Sequence, residues 1–144
     1  MAAISKATAT WQGDLIHGGG KVSPESETFD PLPVSWAHRA ERSKAHTSPE
    51  ELLAAAHASC FCMALSNGMG KAGLEHIKLE ATAEVTFVPG TGVTKSAITV
   101  QGAADGLKAT QFKGLAEAAK AGCPISGALK GNVEITLHAA LLKS

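Results

Sequence analysis

The chain lacks several features that would assign it to a common functional class. It has no tyrosine, and aromatic residues make up only 4% of its 144 residues, so aromatic platforms for stacking nucleic-acid bases are not expected. Its 13 basic residues balance its 13 acidic ones, which favours neither nucleic acid nor an anionic membrane as a partner. We find no signal peptide and no window close to a membrane span, and therefore expect a cytoplasmic protein without a membrane span.

Cysteine is also scarce, and its placement is informative. Cys60 and Cys62 lie in the apolar segment HASCFCMALS, and Cys123 lies far downstream in AGCPIS. Three cysteines do not make a disulfide framework, and no CxxC pair is present. In a reducing compartment such cysteines are inert, metal-bound or catalytic.

The apolar content, 44%, suits one globular domain, which we predict to cover residues 1–144. Residues 5–11 alternate like a strand, and the WQGD that overlaps their end marks a turn. Residues 29–46 hold two prolines and a charge cluster, so we expect a loop with at most short extended pieces.

The strongest element is a helix within residues 47–70. Ser48 is a suitable N-cap, Pro49 fits the first turn, and Glu51 completes a capping box. Asn67-Gly68 is a predicted stop. Because the segment between these signals is apolar on every side, we predict a buried central helix.

The second half of the sequence predicts strands and one further clear helix. Residues 74–89 and 93–104 alternate and are joined by PGTG, which indicates an antiparallel hairpin. Residues 109–122 carry a helical apolar stripe that Gly122 ends, and residues 132–142 form a last strand. The order favours an α+β fold with antiparallel sheet around a helical core.

The cysteines allow more than one interpretation. A buried cysteine is most often a small packing residue, which suits Cys62. A metal site of His57, Cys60 and Cys62 is disfavoured, because Cys62 points away from the face that the other two share and structural zinc takes four ligands. We therefore expect no metal site.

Local chemistry ranks Cys123 above Cys60 as a reactive thiol. Cys123 follows a helix-stopping glycine and precedes Pro124, so it can cap a short helix whose N–H groups favour a thiolate. A tight connection without chemical role is the alternative. Cys60, in the middle of an apolar helix, should have a raised pKa unless a cation is brought to it.

Charged residues near the helix start suggest such a cation. Arg39 is free to pair with Glu50, which would fix the orientation of the guanidinium. Ten helical residues rise about 15 Å, so an arginine held at Glu50 does not easily reach Cys60 of the same helix. If these groups act together, a second copy must supply one of them, which predicts a homodimer with composite active sites.

These motifs resemble a known family. TSPEELLAAAHASCFCMALS followed by AGCPIS, together with WQGD, GGGKVSPES, SWAHRAE and the closing VEITL, is similar to the OsmC branch of the OsmC/Ohr family over essentially the whole chain. The resemblance implies an OsmC-like α+β fold, with antiparallel sheets wrapped around two central helices in an intertwined homodimer.

The resemblance also implies a function and roles for residues. The family reduces hydroperoxides, organic ones especially, with two cysteines and without a metal or prosthetic group. Cys60 corresponds to the peroxidatic thiol and Cys123 to the resolving one. Glu50 corresponds to the residue that orients Arg39, with Arg42 as the alternative arginine, and both groups come from the opposite subunit. An external dithiol of the lipoyl type is the implied reductant.

Two other functions stay open at this level. One is a non-catalytic, stress-induced binding protein on the same fold, with idle thiols. The other is acyl chemistry by Cys60 and His57, which share a helical face but lack an evident orienting residue.

Overall fold

A computed structural model describes residues 1–143. The chain divides into two compact units, Met1–Leu52 and a second unit that begins at Leu53. Each unit contains one three-stranded sheet, and the four helices complete an α+β architecture. That residues 1–144 act as a single domain stays a prediction, with Ser144 outside the described residues.

The sheet of the first unit is an antiparallel meander. It consists of β1 (Ala7–Gln12), β2 (Gly19–Pro24) and β3 (Leu32–Val34), in that order. The predicted first strand and the turn that follows it are confirmed. All six residues of β1 are exposed, while β2 and β3 are largely half-buried.

A short helix follows this sheet where we expected a loop. The extended piece is confirmed as β3, but residues Trp36–Ala40 form α1, so the prediction was incomplete. Ser35 begins the helix, because its Oγ accepts a hydrogen bond from the His38 N–H at 3.3 Å. An N-cap serine can start a helix too short to show an apolar period.

The long helix, α2 (Pro49–Lys71), begins where the sequence predicts. The Glu51 N–H donates to Ser48 Oγ and the Leu52 N–H to the Ser48 carbonyl, each at 3.1 Å. Ser48 is therefore the N-cap. The Glu51 carboxylate accepts a long hydrogen bond from Arg42, at 3.4 Å.

The predicted stop at Asn67-Gly68 was wrong. The helix continues to Lys71 and ends at Gly73, whose φ of +82° is the left-handed conformation that glycine adopts freely. The Leu74 N–H donates to the Met69 carbonyl and the Gly73 N–H to the Gly70 carbonyl. This pair of bonds is a Schellman motif, so the glycine that fits it, and not the first one in the sequence, ends the helix.

The surface of α2 also differs from the prediction of burial on every side. His57, Phe61, Leu65 and Met69, four residues apart, form one buried line. The other sides are half-buried or exposed, and Met63 keeps 73% of its surface accessible. The chain by itself therefore covers one face of this helix.

By length and composition alone, the same helix is long and apolar enough to cross a membrane. The expectation that no segment approaches a span was therefore wrong. Length and composition do not separate a span from a core helix, however, and the buried line on α2 packs against protein.

The sheet of the second unit contains β4 (Lys78–Val88), β5 (Gly92–Ala103) and β6 (Glu134–Leu141), in that order. The β4–β5 hairpin is antiparallel, as predicted. β6 pairs with β5 in parallel, from Lys95 opposite Glu134 to Gly102 opposite Leu141, so the prediction of a wholly antiparallel sheet was wrong. A helical crossover between the strands makes the parallel direction possible.

This crossover contains two helices, α3 (Ala109–Gly122) and α4 (Pro124–Leu129). Phe112, Ala116 and Ala119 are the buried residues of α3, as its apolar stripe predicts. They join residues of α2, β5 and β6 in one core. Its buried members are Phe61, Leu65, Met69, Ile98, Val100, Phe112, Ala116, Ala119, Cys123 and Ala139.

Candidate active site

Two cysteines from different elements meet inside the second unit. Cys60 lies on α2, one residue before buried Phe61, and is itself half-buried. Cys123 occupies the single position between α3 and α4, where only 1% of its surface is accessible. Its N–H donates to the Ala119 carbonyl at 2.8 Å, which ties the residue to the last turn of α3.

The sulfur atoms of Cys60 and Cys123 are 3.0 Å apart. Both cysteines are free thiols, and at this distance one S–H donates a hydrogen bond to the other sulfur. A disulfide requires about 2.05 Å, so a small approach of the sulfurs would join them. Sequence spacing alone left open whether these residues meet.

The surroundings of the two thiols shift their pKa values in opposite directions. Burial raises the pKa of Cys60 above its ordinary value, as does its hydrogen bond with Cys123. Burial alone would raise the pKa of Cys123 as well, but hydrogen bonds from Cys60, Ser126 and Ile125 outweigh it and lower that pKa. The environment thus favours the thiolate on Cys123, with the hydrogen bond from Cys60 as the largest of the lowering causes.

A buried histidine adjoins the thiol pair. His57 is fully buried on α2, and its Nδ1 lies 2.7 Å from the hydroxyl of Ser96 on β5. Its Nε2 lies 2.8 Å from the hydroxyl of Ser126 on α4. Burial lowers the pKa of His57 below its ordinary value and so favours the neutral ring.

The sequence analysis missed both serines. Ser126 is visible in the motif AGCPIS, three residues after Cys123, but Ser96 gives no signal because nothing in an alternating strand marks which polar residue turns inward. Their hydroxyls engage both ring nitrogens of His57. Within the described residues His57 therefore pairs with two serines, which disfavours the Cys60–His57 acyl hypothesis.

The residues considered for a metal site do not converge. Cys60 faces Cys123, His57 faces the two serines, and the half-buried Cys62 lies against the backbone of Ala81 on β4. Between residues 1 and 143, no group of three or more His, Cys, Asp or Glu side chains is placed to hold a metal ion. Burial raises the pKa of Cys62, which suits a packing residue.

The charged residues of the predicted site lie in the first unit. Arg39 on α1 donates from Nη2 to Oε1 of Glu50 at 2.7 Å, and from Nε to both carboxylate oxygens, at 3.0 Å to Oε1 and 3.2 Å to Oε2. The Glu50 side chain is 8% exposed and that of Arg39 33%. Two parallel N–H bonds to one carboxylate fix the guanidinium plane.

Arg42 holds a different position. Its guanidinium donates to the backbone carbonyls of His38 and His46 and reaches Glu51 at 3.4 Å. The side chains in its ion pair are 41% and 60% exposed. Of the two candidate arginines, Arg39 is therefore the one that pairs with Glu50.

Comparison with known proteins agrees with these features. The chain is 42% identical to peroxiredoxin OsmC of Escherichia coli over 140 residues, covering 95% of this chain and 96% of that protein. It is 32% identical to the organic hydroperoxide resistance protein OhrA of Bacillus subtilis, over 71% of this chain and 73% of the relative.

Solved structures show the same fold. The crystal structure of an organic hydroperoxide resistance protein from Elizabethkingia anophelis superimposes with a TM-score of 0.71 at 21% identity, covering 99% of this chain and all of that one. The sequence model described as OsmC-like protein matches residues 42–138, which include both thiols of the close pair. The chain belongs to the OsmC-like protein family.

Proposed function

We propose that this protein is a thiol-dependent peroxidase that reduces organic hydroperoxides, and hydrogen peroxide less well. The observation that carries the proposal is the 3.0 Å contact between two free thiols, Cys60 and Cys123, in a packed environment. The relatives named peroxiredoxin and organic hydroperoxide resistance protein support it.

Cys60 is the proposed peroxidatic thiol, although Cys123 has the lower pKa. Cys60 is half-buried whereas Cys123 is almost fully buried, so a hydroperoxide reaches Cys60 more readily. A guanidinium brought to Cys60 would stabilise its thiolate. The lowered pKa of Cys123 suits the second step equally well, since the attacking thiol of a disulfide-forming reaction must also be a thiolate.

The proposed source of that guanidinium is Arg39 of a second copy. Glu50 and Cys60 lie ten residues apart on one helix, a rise of about 15 Å, which motivates a homodimer with composite sites. The bidentate pair with Glu50 would present Arg39 in one orientation for the peroxide oxygens and the thiolate. The exposed side of α2, including Met63, is available for the partner copy to cover.

The first step breaks the O–O bond of the hydroperoxide. The Cys60 thiolate attacks the outer oxygen and gains it as a sulfenic acid, while the alkoxide leaves and takes up a proton to become an alcohol. The sulfur loses two electrons and the peroxide gains them.

The second step closes a disulfide and the third reopens it. The Cys123 thiolate attacks the Cys60 sulfur and releases hydroxide, which becomes water. An external dithiol, proposed to be of the lipoyl type, then exchanges with the disulfide and restores both thiols. The cycle needs no metal or prosthetic group, because each two-electron transfer runs through sulfur. Free thiols of this kind suit a reducing compartment, and we propose the cytoplasm.

The test is the decay of cumene hydroperoxide with dihydrolipoamide as reductant. Wild type should turn over, Cys60→Ser should not, and Cys123→Ser should stop after one equivalent with a trappable sulfenic acid on Cys60. Cys62→Ser is the matched control on the same helix and should keep the wild-type rate.

Two outcomes would change the proposal. If Cys123→Ser were inert toward peroxide while Cys60→Ser formed a sulfenic acid, the roles of the two thiols would be exchanged. If wild type showed neither turnover nor loss of thiols with peroxide, the protein would be a binding protein with idle cysteines.

A further inference from the structure

The first unit contains a cleft that the three-step cycle above does not use. Its volume is about 520 Å³, and every residue that lines it falls between Thr10 and His46, within the unit Met1–Leu52. The three strands of the first sheet contribute to the lining, and so do α1 and the loop that follows it. Clefts of this volume are large enough for a small organic molecule.

Two glycines of β2 keep the cleft open. A Cβ at Gly19 would meet only the Val34 carbonyl oxygen, at 3.7 Å, so there is room for a larger group at this position. Gly20 pairs with Trp11 on one side and with Val34 on the other. A Cβ at Gly20 would clash with the Thr10 carbonyl oxygen. Close packing therefore excludes a side chain at Gly20, while Gly19 leaves space in the cleft.

The Trp11 indole is held in place at this cleft. Its Nε1–H donates to the Gly13 carbonyl at 2.9 Å, and its Cε3 lies 3.0 Å from the position of a Cβ at Gly20. The residue nevertheless keeps 43% of its surface accessible. An aromatic ring that is already fixed offers apolar surface to a ligand without losing much conformational entropy on binding.

A stacked pair of imidazoles lines the same cleft. The rings of His38 and His46 are parallel within 6°, and their centroids are 3.5 Å apart. Nδ1 of His38 lies 2.7 Å from the Ser35 hydroxyl, and Nδ1 of His46 lies 3.2 Å from the Ser43 hydroxyl. Arg42 donates to the backbone carbonyls of both histidines. These bonds engage Nδ1 of both rings, so Nε2 is the nitrogen that each ring can offer to a ligand.

Ser35 favours a donor at Nε2 of His38. The Ser35 oxygen accepts a hydrogen bond from the His38 backbone N–H at 3.3 Å, which leaves its hydroxyl proton for Nδ1. A neutral imidazole that accepts at Nδ1 carries its proton at Nε2. A protonated ring donates from Nε2 as well. Both forms suit an anionic acceptor.

The charges around the cleft also favour an anion. Lys21 lines it together with the two histidines, and none of its lining residues, all between positions 10 and 46, is acidic. A second cavity of the same unit, of about 550 Å³, has the opposite character, with Glu25, Glu27 and Asp30 beside Lys6. The two cavities are similar in size, so the sign of the charge is what distinguishes their ligands.

We propose that the cleft beside Trp11 binds a planar aromatic carboxylate. The aromatic body packs against the indole in the space left by Gly19, and the carboxylate accepts hydrogen bonds from Lys21 and from an imidazole Nε2. The cleft shares no residue with the thiol pair or with the pair of Arg39 and Glu50. The site is therefore independent of the proposed peroxidase chemistry.

The first experiment is a titration with 2-naphthoate, followed by the indole N–H signals in NMR spectra. The chain has two tryptophans, Trp11 in the cleft and Trp36 outside its lining, and a Trp11→Phe variant assigns their signals. The Trp11 signal should shift saturably with a dissociation constant below about 1 mM, and the Trp36 signal should move less. The uncharged 2-naphthamide should bind about tenfold more weakly, because it lacks the charge for the same donors.

Substitutions then test the charge and the space separately. Lys21→Gln should weaken binding of 2-naphthoate about tenfold, since it removes a charged donor. Lys6→Gln is the matched control at the second cavity and should leave the dissociation constant unchanged. Gly19→Leu fills the cleft and should abolish binding. Thermal unfolding of each variant shows whether it is folded, and if Gly19→Leu is not, Lys21→Gln and the amide decide the question.

The inference is overturned if wild type does not bind 2-naphthoate, or if 2-naphthamide binds equally well. It is also overturned if Lys6→Gln weakens binding as much as Lys21→Gln, because the cleft would then not be the site. Loss of cumene hydroperoxide turnover in wild type would defeat the proposed function and leave this titration standing, so the two failures are distinguishable.

Discussion

The two units of the chain hold their polar groups in place by different means. The first unit carries an antiparallel sheet whose outer strand is exposed, and it contains an ion pair, Arg39 with Glu50. The second unit carries a packed core, and it contains two thiols in contact, those of Cys60 and Cys123. A bidentate ion pair fixes its own geometry through hydrogen bonds, whereas thiols have weak hydrogen bonds and depend on surrounding packing for theirs.

The largest expected effect tests the packed core of the second unit. Phe112 is fully buried in the core around the second sheet, and Phe112→Ala should lower the free energy of unfolding by about 3–5 kcal/mol. Urea unfolding followed by circular dichroism measures the change.

Trp11 on β1 provides the matched aromatic in the first unit. It is 43% exposed, so Trp11→Ala should cost far less than Phe112→Ala. Equal costs would break the comparison, because they would show that β1 is covered in solution. Repeating the measurement across protein concentrations would then show whether a second copy covers it.

The next largest effect tests the Arg39–Glu50 ion pair of the first unit. If the proposed roles hold, Arg39→Met should reduce kcat/KM for cumene hydroperoxide about hundredfold, since it removes the donors proposed to stabilise the Cys60 thiolate and the peroxide oxygens. Arg42→Met is the control, because Arg42 bonds backbone carbonyls and an exposed glutamate, and it should change kcat/KM little. The reverse result would assign the role to Arg42.

A smaller effect concerns the start of the helix that carries both Glu50 and Cys60. Ser48→Ala removes the N-cap acceptor and should lower the free energy of unfolding by about 1 kcal/mol. Ser59→Ala, at an exposed position of the same helix, should stay within about 0.5 kcal/mol of wild type. Equal effects would mean that the Ser48 cap contributes nothing.

The smallest expected effect is the contribution of His57 to how the free energy of unfolding changes with pH. Burial lowers the pKa of His57 in the folded protein, while in the unfolded chain it returns to about 6.5. The unfolded state then binds more protons as the pH falls below 6.5. The contribution of His57 to the free energy of unfolding should therefore be at its maximum above pH 6.5. It should be lost as the pH falls through the pKa of His57 in the folded protein.

Urea titrations of wild type and His57→Gln at a series of pH values measure this slope. The variant should depend less on pH across the acidic window, since glutamine does not titrate. Parallel curves would show that His57 does not contribute to acid destabilisation.

Local signals in the sequence predicted much of the fold. Ser48 begins α2, α3 ends at Gly122, and PGTG joins β4 to β5, as predicted, because each of these signals acts over a few residues. Asn67-Gly68 failed as a stop because a glycine is tolerated within a packed helix, and only Gly73 satisfies the terminal carbonyls. The short α1 lacks an apolar period, and the direction of β6 depends on how the crossover packs.

The candidate site was predictable only in part. The pairing of Arg39 with Glu50 follows from a short loop, and Cys123 at a helix cap follows from its neighbours. The contacts of His57 with Ser96 and Ser126 join residues 39 and 69 positions apart, and no local pattern encodes such distances. The pKa order of the two thiols likewise depends on which hydrogen bonds the fold brings to each.

The parallel pairing of β6 with β5 has a consequence for how the protein is made. Cys60 leaves the ribosome long before Cys123, and the crossover that carries Cys123 is secured to the sheet only when β6, the last strand, is translated and paired. Such long-range pairing forms late, because the connecting segment must close first. The nascent chain therefore carries two separate thiols, which are held together only after β6 has been synthesised.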